Sequence, residues 1–378
     1  MKITDLQVKT IESIPRRPYT NALGTQLASK RRISILEVTT DEGITGILTS
    51  GMMDGLMRGI LLDYLKPRVL GEDPRNPERL WHQLFGHGGG WRMAISKGEV
   101  IRAISALDCA LWDILGKAAG LPVYQLIGGY REEVDCYASG GHYVSLNSQR
   151  EELKHLEEEM TAYMEMGFQA VKVRVGRNLK EDLERVRQVR EIIGSECKLL
   201  IDFNTSPSYH GGVTHALKYV RALEACDPYW YEDPLIMDDL DGMRRLTASV
   251  DTAIATGECE QSIWGFRELI HRRACDIVLP DATQMCGGVT QWRKIAALAE
   301  SAYIPVAAHL GDRVHLHCLA GIPNGLIVEV FTPWDDQQWA HEKNPVFRPN
   351  PDGRLSVSQT PGFGLEIDWD YIEKNRIE

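Results

Sequence analysis

The 378-residue sequence has no run of about 20 apolar residues, so it offers no membrane span. Its first stretch, MKITDLQVKTIES, has no apolar h-region and reads as a strand rather than a signal peptide. Positive charge is in deficit: 42 Lys and Arg face 53 Asp and Glu, a formal net charge of −11. That balance argues against nucleic acid and anionic membrane as main partners. There is no CxxC, and the eight cysteines are scattered, several inside apolar stretches. They read as reduced core residues of a cytoplasmic protein. No GxGxxG opens a βα turn, so a dinucleotide site is not expected. What is present, 43% hydrophobic and 25% charged residues, is the balance of a globular chain too long for one ordinary core.

Residues 1–130 share one texture. KITDLQVKTIES and RRISILEVTTDEGITGILTS predict a small antiparallel sheet, with TDEG as a turn. Helical patterns follow in MRGILLDYLKPRVLG, NPERLWHQLFG and EVIRAISALDCALWDILGKAAG. In the last, Ile101, Ile104, Leu107, Leu111 and Ile114 recur at helical spacing, and Gly120 and Pro122 end it. This segment predicts an α+β domain. From 131 to 332 short apolar strands alternate with helical patterns, beginning with VDCYASG, AVKVRV, KLLIDFN and YWYEDP and continuing through AIATGE, DIVLPDA, IPVAAHL and LIVEVF. Eight such strands predict a parallel α/β barrel. The turn-rich segment 333–378 is expected to pack back on the first domain.

Each barrel strand after the first turns polar. AVKVRVG alternates Val171, Val173 and Val175 with Lys172 and Arg174, which puts both cations on one face, turned either to solvent or to an anion site. From Lys172 the strand-end residues Asp202, Glu232, Glu258, Asp281, His309 and Glu329 follow in steps of 30, 30, 26, 23, 28 and 20, roughly one βα unit each. Polar residues at the C-terminal ends of barrel strands converge on one mouth. Three carboxylates sharing that space, Asp202, Glu232 and Glu258, would repel one another unless a divalent cation joined them, and a hard all-oxygen set suits Mg²⁺ better than zinc. Separate salt bridges would be the plainer arrangement. Asp281 and His309, on adjacent strands, have the makings of an orienting carboxylate and a general base. The other histidines show no comparable partner; His142 and His210 follow strands and could line the mouth or sit in solvated loops. Glu329, inside an apolar strand, is either a protonated acid able to donate to an oxyanion or half of a structural ion pair.

These residues together resemble the mandelate racemase branch of the enolase superfamily, the mandelate racemase/muconate lactonizing enzyme group, over essentially the whole chain. AISALDCALWDILGKAAGLPVYQLIGG (103–129) is similar to that family's signature helix. The resemblance implies a (β/α)7β modified TIM barrel capped by an N-terminal α+β domain. It implies Asp202, Glu232 and Glu258 as Mg²⁺ ligands, Asp281–His309 as the dyad, and Glu329 as the acid facing the enolate. It also implies Mg²⁺-assisted removal of the proton α to a carboxylate and a symmetric homo-oligomer. Lys172 and Arg174 fall on the family's Lys-x-Lys motif, and the chain departs from it at Arg174. Arginine stays protonated, so it is a poor base and a good carboxylate clamp. Lys172 is implied as an electrophile. A single base suits dehydration, so the expected activity is that of a hydro-lyase: an acid sugar (aldonate or aldarate) dehydratase giving a 2-keto-3-deoxy acid. A racemase, epimerase or cycloisomerase on the same scaffold is the main alternative, and a non-catalytic binding protein is the second. Loops at 15–32 and 50–55 are the expected specificity elements, and Asn204 a substrate contact. GHGGGW (86–91) follows no strand and is not read as a phosphate cradle.

Overall fold

The computed structural model describes residues 1–13, 19–22, 31–51, 53, 55–86, 97–144, 148–310, 313–331, 341–344 and 348–377. Strands β1 (Ile3–Ser13), β3 (Arg31–Thr40) and β4 (Thr45–Ser50) form an antiparallel sheet in the order β1-β3-β4. The short strand β2 (Tyr19–Thr20) lies apart from that sheet. The turn at TDEG is closed by Thr40, whose Oγ1 donates to Ile44 O at 2.9 Å, while Gly43 takes a φ of +78°. Against this sheet packs the long helix Glu99–Ala119, which ends at Gly120 with a φ of +68°.

The helical stretch after β4 departs from a plain α-helix. Gly55–Gly59 and Lys66–Val69 are α-helical, but Ile60–Leu65 between them is a π-helix. Pro67 explains it: proline lacks an N–H and its ring crowds the carbonyl four residues back. Widening the preceding turn relieves that crowding, and Lys66 N–H bonds to Leu61 O, five residues back.

The barrel contains all eight strands expected of it. After β5 (Glu133–Ser139) comes the short β6 (Tyr143–Val144), then β7 (Ala170–Arg174), β8 (Lys198–Asp202), β9 (Pro228–Glu232), β10 (Ala253–Thr256), β11 (Ile277–Val278), β12 (Val306–Ala308) and β13 (Gly325–Val330). They pair in parallel in the order β5-β7-β8-β9-β10-β11-β12-β13, and β13 pairs with β5 to close the ring. Side chains alternate in and out along each strand. Val171, Val173, Leu199 and Ile201 belong to the large outer core, under the helices. Tyr137, Ala170, Leu200, Trp230, Ala255, Leu279, Ala307 and Ile327 form a separate inner layer.

The C-terminal segment contacts both parts. Ile377 N–H bonds to Thr10 O, and Phe363 N–H to Asp113 in the long helix. It also adds β14 (Arg354–Ser356) antiparallel to β5, a barrel contact that its turn-rich sequence did not signal. No helix among the described residues is long and apolar enough to cross a membrane.

Candidate active site

The inner layer explains why the polar residues gather. Two residues beyond Tyr137, Ala170, Leu200, Trp230, Leu279, Ala307 and Ile327 stand Ser139, Lys172, Asp202, Glu232, Asp281, His309 and Glu329. A step of two keeps the same face, so each stands above an apolar neighbour at the C-terminal rim. The ladders align them further: Ser139 pairs with Lys172, Arg174 with Asp202, and Asp202 with Glu232. Glu258 is the exception, three residues beyond Ala255. Gly257, at φ +120°, turns the chain after β10 and brings Glu258 to the rim; a Cβ there would meet Phe266 at 2.8 Å. Positive φ values at Asn204, Thr205, Asp233 and Leu310 mark the same rim, where strained backbone commonly accompanies function.

Lys172 and Arg174 do not face solvent; both are buried among carboxylates of the mouth. Lys172 is 1% exposed, with Nζ 2.7 Å from Glu232 Oε1, 2.7 Å from Glu329 Oε1 and 3.8 Å from Asp202 Oδ2. Burial opposes its charge, but Glu232 and Glu329 outweigh that and hold its pKa well above the usual value. Arg174 Nη1 donates to Ser139 Oγ at 3.0 Å and Gly140 O at 2.7 Å, and Nε lies 3.4 Å from Asp202 Oδ2. Nη1 is therefore spent on the protein, while Nε has no hydrogen-bond partner and Nη2 stands 3.7 Å from Glu329 Oε1.

Glu329 corrects the expectation of a protonated acid. Oε1 accepts from Ser139 Oγ at 2.6 Å and Oε2 from Leu310 N–H at 2.8 Å. Burial would raise its pKa, but Lys172, His309 and Arg174 hold it low, so it stands as an ionised carboxylate inside a cationic cluster. The structural ion pair describes it better than the donor.

His309 Nδ1 lies 3.1 Å from Asp281 Oδ2, and Nε2 lies 3.4 Å from Glu258 Oε2. Burial disfavours the imidazolium, but Glu258 and Asp281 overcome it and raise the pKa to about 10. Asp281 is fully buried; its hydrogen bond with His309 and the nearby His315 imidazole keep it ionised against its burial. Its Oδ1 also accepts from Thr283 N–H at 2.8 Å and Gln284 N–H at 3.0 Å, which fixes the carboxylate.

Asp202, Glu232 and Glu258 are the residues that could hold a divalent cation. As they stand, no three His, Cys, Asp or Glu side chains among the described residues form a metal-binding group. The reason is visible: Glu232 turns Oε1 to Lys172 and Oε2 to Trp230 Nε1, and Glu258 leans toward His309. The donor chemistry nevertheless fits. Burial and mutual repulsion raise the pKa of Glu232 and of Glu258, a strain that a cation would relieve. Asn204 clasps Asp202, its N–H donating to Oδ1 at 2.8 Å and Nδ2 to Oδ2 at 3.2 Å, while its own Oδ1 is buried without a hydrogen-bond partner.

Several neighbours were not evident in the sequence. His315, on the helix Arg313–Ala320, does have an acidic partner: Nε2 lies 3.5 Å from Asp281 Oδ1 and accepts from Ala282 N–H at 2.9 Å. Asp233, beside Glu232, is a further buried carboxylate, with Oδ1 accepting from Thr256 Oγ1 at 2.5 Å. Trp230, Tyr137 and Ser139 complete the floor; the step of two behind each strand-end residue was the signal that could have found them. His142 packs on the Tyr19 ring at 4.5 Å, where β2 pairs with β6, and His210 packs beside His215 at 5.8 Å. Of the expected specificity loops, residues 15–18, 23–30, 52 and 54 lie outside the described residues, as do 87–91 of GHGGGW.

The comparisons with known proteins bear on this geometry. Residues 5–128 match the profile of the mandelate racemase/muconate lactonizing enzyme N-terminal domain, and residues 155–371 that of the enolase C-terminal domain-like family. The chain belongs to the mandelate racemase branch of the enolase superfamily. Within that family it is 32% identical to an arabinonate dehydratase of Saccharolobus solfataricus, over 88% of this chain and 87% of the other. It is 28% identical to a D-galactarolactone cycloisomerase of Agrobacterium fabrum, over 100% and 99%. A racemase structure from Streptomyces coelicolor A3(2) with bound magnesium superposes with a TM-score of 0.86 at 27% identity, over 99% of this chain and 100% of that one.

Proposed function

We propose that the protein is a Mg²⁺-dependent acid sugar dehydratase that converts an aldonate or aldarate into a 2-keto-3-deoxy acid. The asymmetry of the mouth carries this reading. One side has an imidazole oriented by a buried carboxylate. The facing strand has Arg174, which cannot act as a base, and Lys172, whose ammonium is bound to two carboxylates at 2.7 Å. A racemase needs a base on each face of the α-carbon, whereas elimination needs one group able to take a proton and return it.

With Glu258 drawn away from Nε2, where it now lies at 3.4 Å, His309 loses the strongest influence holding it charged and accepts the α-proton at Nε2, because Nδ1 is turned to Asp281. The same Nε2–H then protonates the β-hydroxyl, which leaves as water. The resulting enol takes up a proton at C3 and becomes the 2-keto acid. Asp281 holds the tautomer and stabilises the imidazolium. Lys172 places positive charge beside the substrate carboxylate, where negative charge builds as the proton leaves. Arg174 supports that site from behind, holding Glu329 ionised and standing beside Asp202. Asp202, Glu232 and Glu258 would hold Mg²⁺, which as a Lewis acid supplies stabilisation of the same developing charge.

The test is a screen of mono- and diacid sugars with Mg²⁺, reading 2-keto acid formation, with Glu232→Gln and His309→Asn in parallel. Turnover by the wild type alone supports the reading, and full turnover by His309→Asn overturns it. The cycloisomerase relative makes ring-opened isomers worth assaying in the same mixtures. Deuterium exchange at the α-carbon without keto acid would move the assignment to an isomerase.

A further inference from the structure

We infer that Trp230 is a positioning residue that orients Glu232 for a divalent cation. The inference rests on the proposed role of Glu232 as a ligand and extends it one layer into the barrel.

Trp230 is fully buried in the inner layer, two residues before Glu232 on β9, so indole and carboxylate share a face with the carboxylate above. Its other neighbours in that layer are apolar (Leu200, Ala255, Ile277 and Leu279), and Tyr137 packs edge-on at 5.5 Å. An indole N–H can only donate. In this layer it donates upward, to Glu232 Oε2 at 3.1 Å. The second oxygen, Oε1, accepts from Lys172 Nζ at 2.7 Å.

The two donors differ in what they allow. Lys172 sits on a flexible stem and has Glu329 at 2.7 Å and Asp202 at 3.8 Å to turn to, so it can release Oε1. The indole cannot turn in a close-packed layer, so Oε2 stays fixed. Glu232 is thus held by one oxygen and free to offer the other. Without the indole N–H, Oε2 is a buried acceptor lacking its donor, and the carboxylate loses the contact that sets its plane. Partners of this kind commonly change metal affinity by about 10- to 100-fold when removed.

The test titrates Mg²⁺ into the full-length protein, stripped with chelator, by calorimetry. Trp230→Phe keeps the ring and removes the N–H; it should weaken Mg²⁺ binding at least tenfold with the melting temperature and circular dichroism of the wild type. Trp292→Phe, a buried tryptophan under the outer helices, should bind as the wild type does. If Trp230→Phe binds within threefold of the wild type while Glu232→Gln does not bind, the inference fails and the ligand assignment stands. If Glu232→Gln binds like the wild type, the ligand assignment itself fails. Should Trp230→Phe not fold, the indole ¹⁵N–H resonances of the labelled wild type provide the readout. One of them should shift on Mg²⁺ addition and be displaced in Glu232→Gln, and an unmoved set overturns the inference.

Discussion

Replacing Asp113 with alanine should cost about 4 kcal/mol of stability while leaving every residue of the mouth in place. Asp113 is fully buried in the helix Glu99–Ala119. Its Oδ1 accepts from Phe363 N–H at 3.0 Å, and its Oδ2 from Ile47 N–H at 2.9 Å and Lys117 Nζ at 2.6 Å. One side chain therefore joins the C-terminal segment, the N-terminal sheet and the long helix. Truncation leaves the buried Phe363 N–H and the part-buried Ile47 N–H without acceptors, about 1–3 kcal/mol each, for a sum of roughly 2–6 kcal/mol. Lys117 adds little, since it is partly exposed and also donates to Thr45 O at 2.7 Å. Asp113→Asn keeps one carbonyl acceptor and should cost about half as much. Equilibrium urea unfolding measures both variants, and limited proteolysis should cut the C-terminal segment of Asp113→Ala first. The same contact constrains Gly362, whose φ is +81° and whose added Cβ would stand 2.2 Å from Asp113 Oδ1. Gly362→Ala should destabilise alone and less than additively with Asp113→Ala, because removing the carboxylate removes the clash. A loss below about 1 kcal/mol for Asp113→Ala would refute the reasoning, since it would mean that the orphaned donors find water or other partners.

Three further outcomes follow from the geometry. Asp108 is buried, accepts from Thr290 N–H and Oγ1, and is pushed up to about 7 by burial, with Glu78 adding to the rise and Thr290 and Arg293 opposing it. Its folded pKa exceeds its unfolded one, so the folded state binds the extra proton. Its contribution is complete below about pH 4 and is lost as pH rises toward 7, at about 1.4 kcal/mol per pH unit. Asp108→Asn should flatten that segment of the stability–pH curve, which urea midpoints at pH 5, 6 and 7 would record. Gly257→Ala forces a side chain into a φ of +120° and against Phe266, so Glu258 should swing from the rim. Calorimetry should show Mg²⁺ affinity falling at least tenfold, with a modest loss of melting temperature. His309→Asn should lower keto-acid formation by at least about a hundredfold with Mg²⁺ affinity retained, as removal of a general base does; retained turnover with lost Mg²⁺ binding would reverse the two assignments.

The fold was legible because a closed parallel barrel writes its period twice. Short apolar runs alternate with amphipathic helices, and each run ends in a polar residue about one βα unit from the last. Six of the seven read from the sequence recur in phase because they occupy one rim, two positions above one apolar layer. Glu258 breaks the phase, and the glycine before it is the reason, so TGE was readable as a turn that delivers an acid. The helical stretch at 57–71 was legible as helix, but the π turn upstream of Pro67 was not.

Charge states and orientations were less legible, since they depend on residues from several strands at once. Glu329 reads alone as a buried acid that is either neutral or paired. It is ionised because Lys172 and Arg174 arrive from β7 and Ser139 from β5, and the sum of those contacts exceeds its desolvation cost. The same neighbours hold Arg174: its Nη1 is bound to Ser139 and Gly140, and Asp202 and Glu329 stand 3.4 and 3.7 Å from Nε and Nη2. His315 was invisible for a related reason. It belongs to the helix after β12, and only the closed ring brings it under Asp281. The departure from Lys-x-Lys at Arg174 therefore acts twice. It removes a second base, and it supplies a permanent cation that helps Glu329 stay charged. A lysine there would have to be protonated to act as that cation and neutral to act as a base.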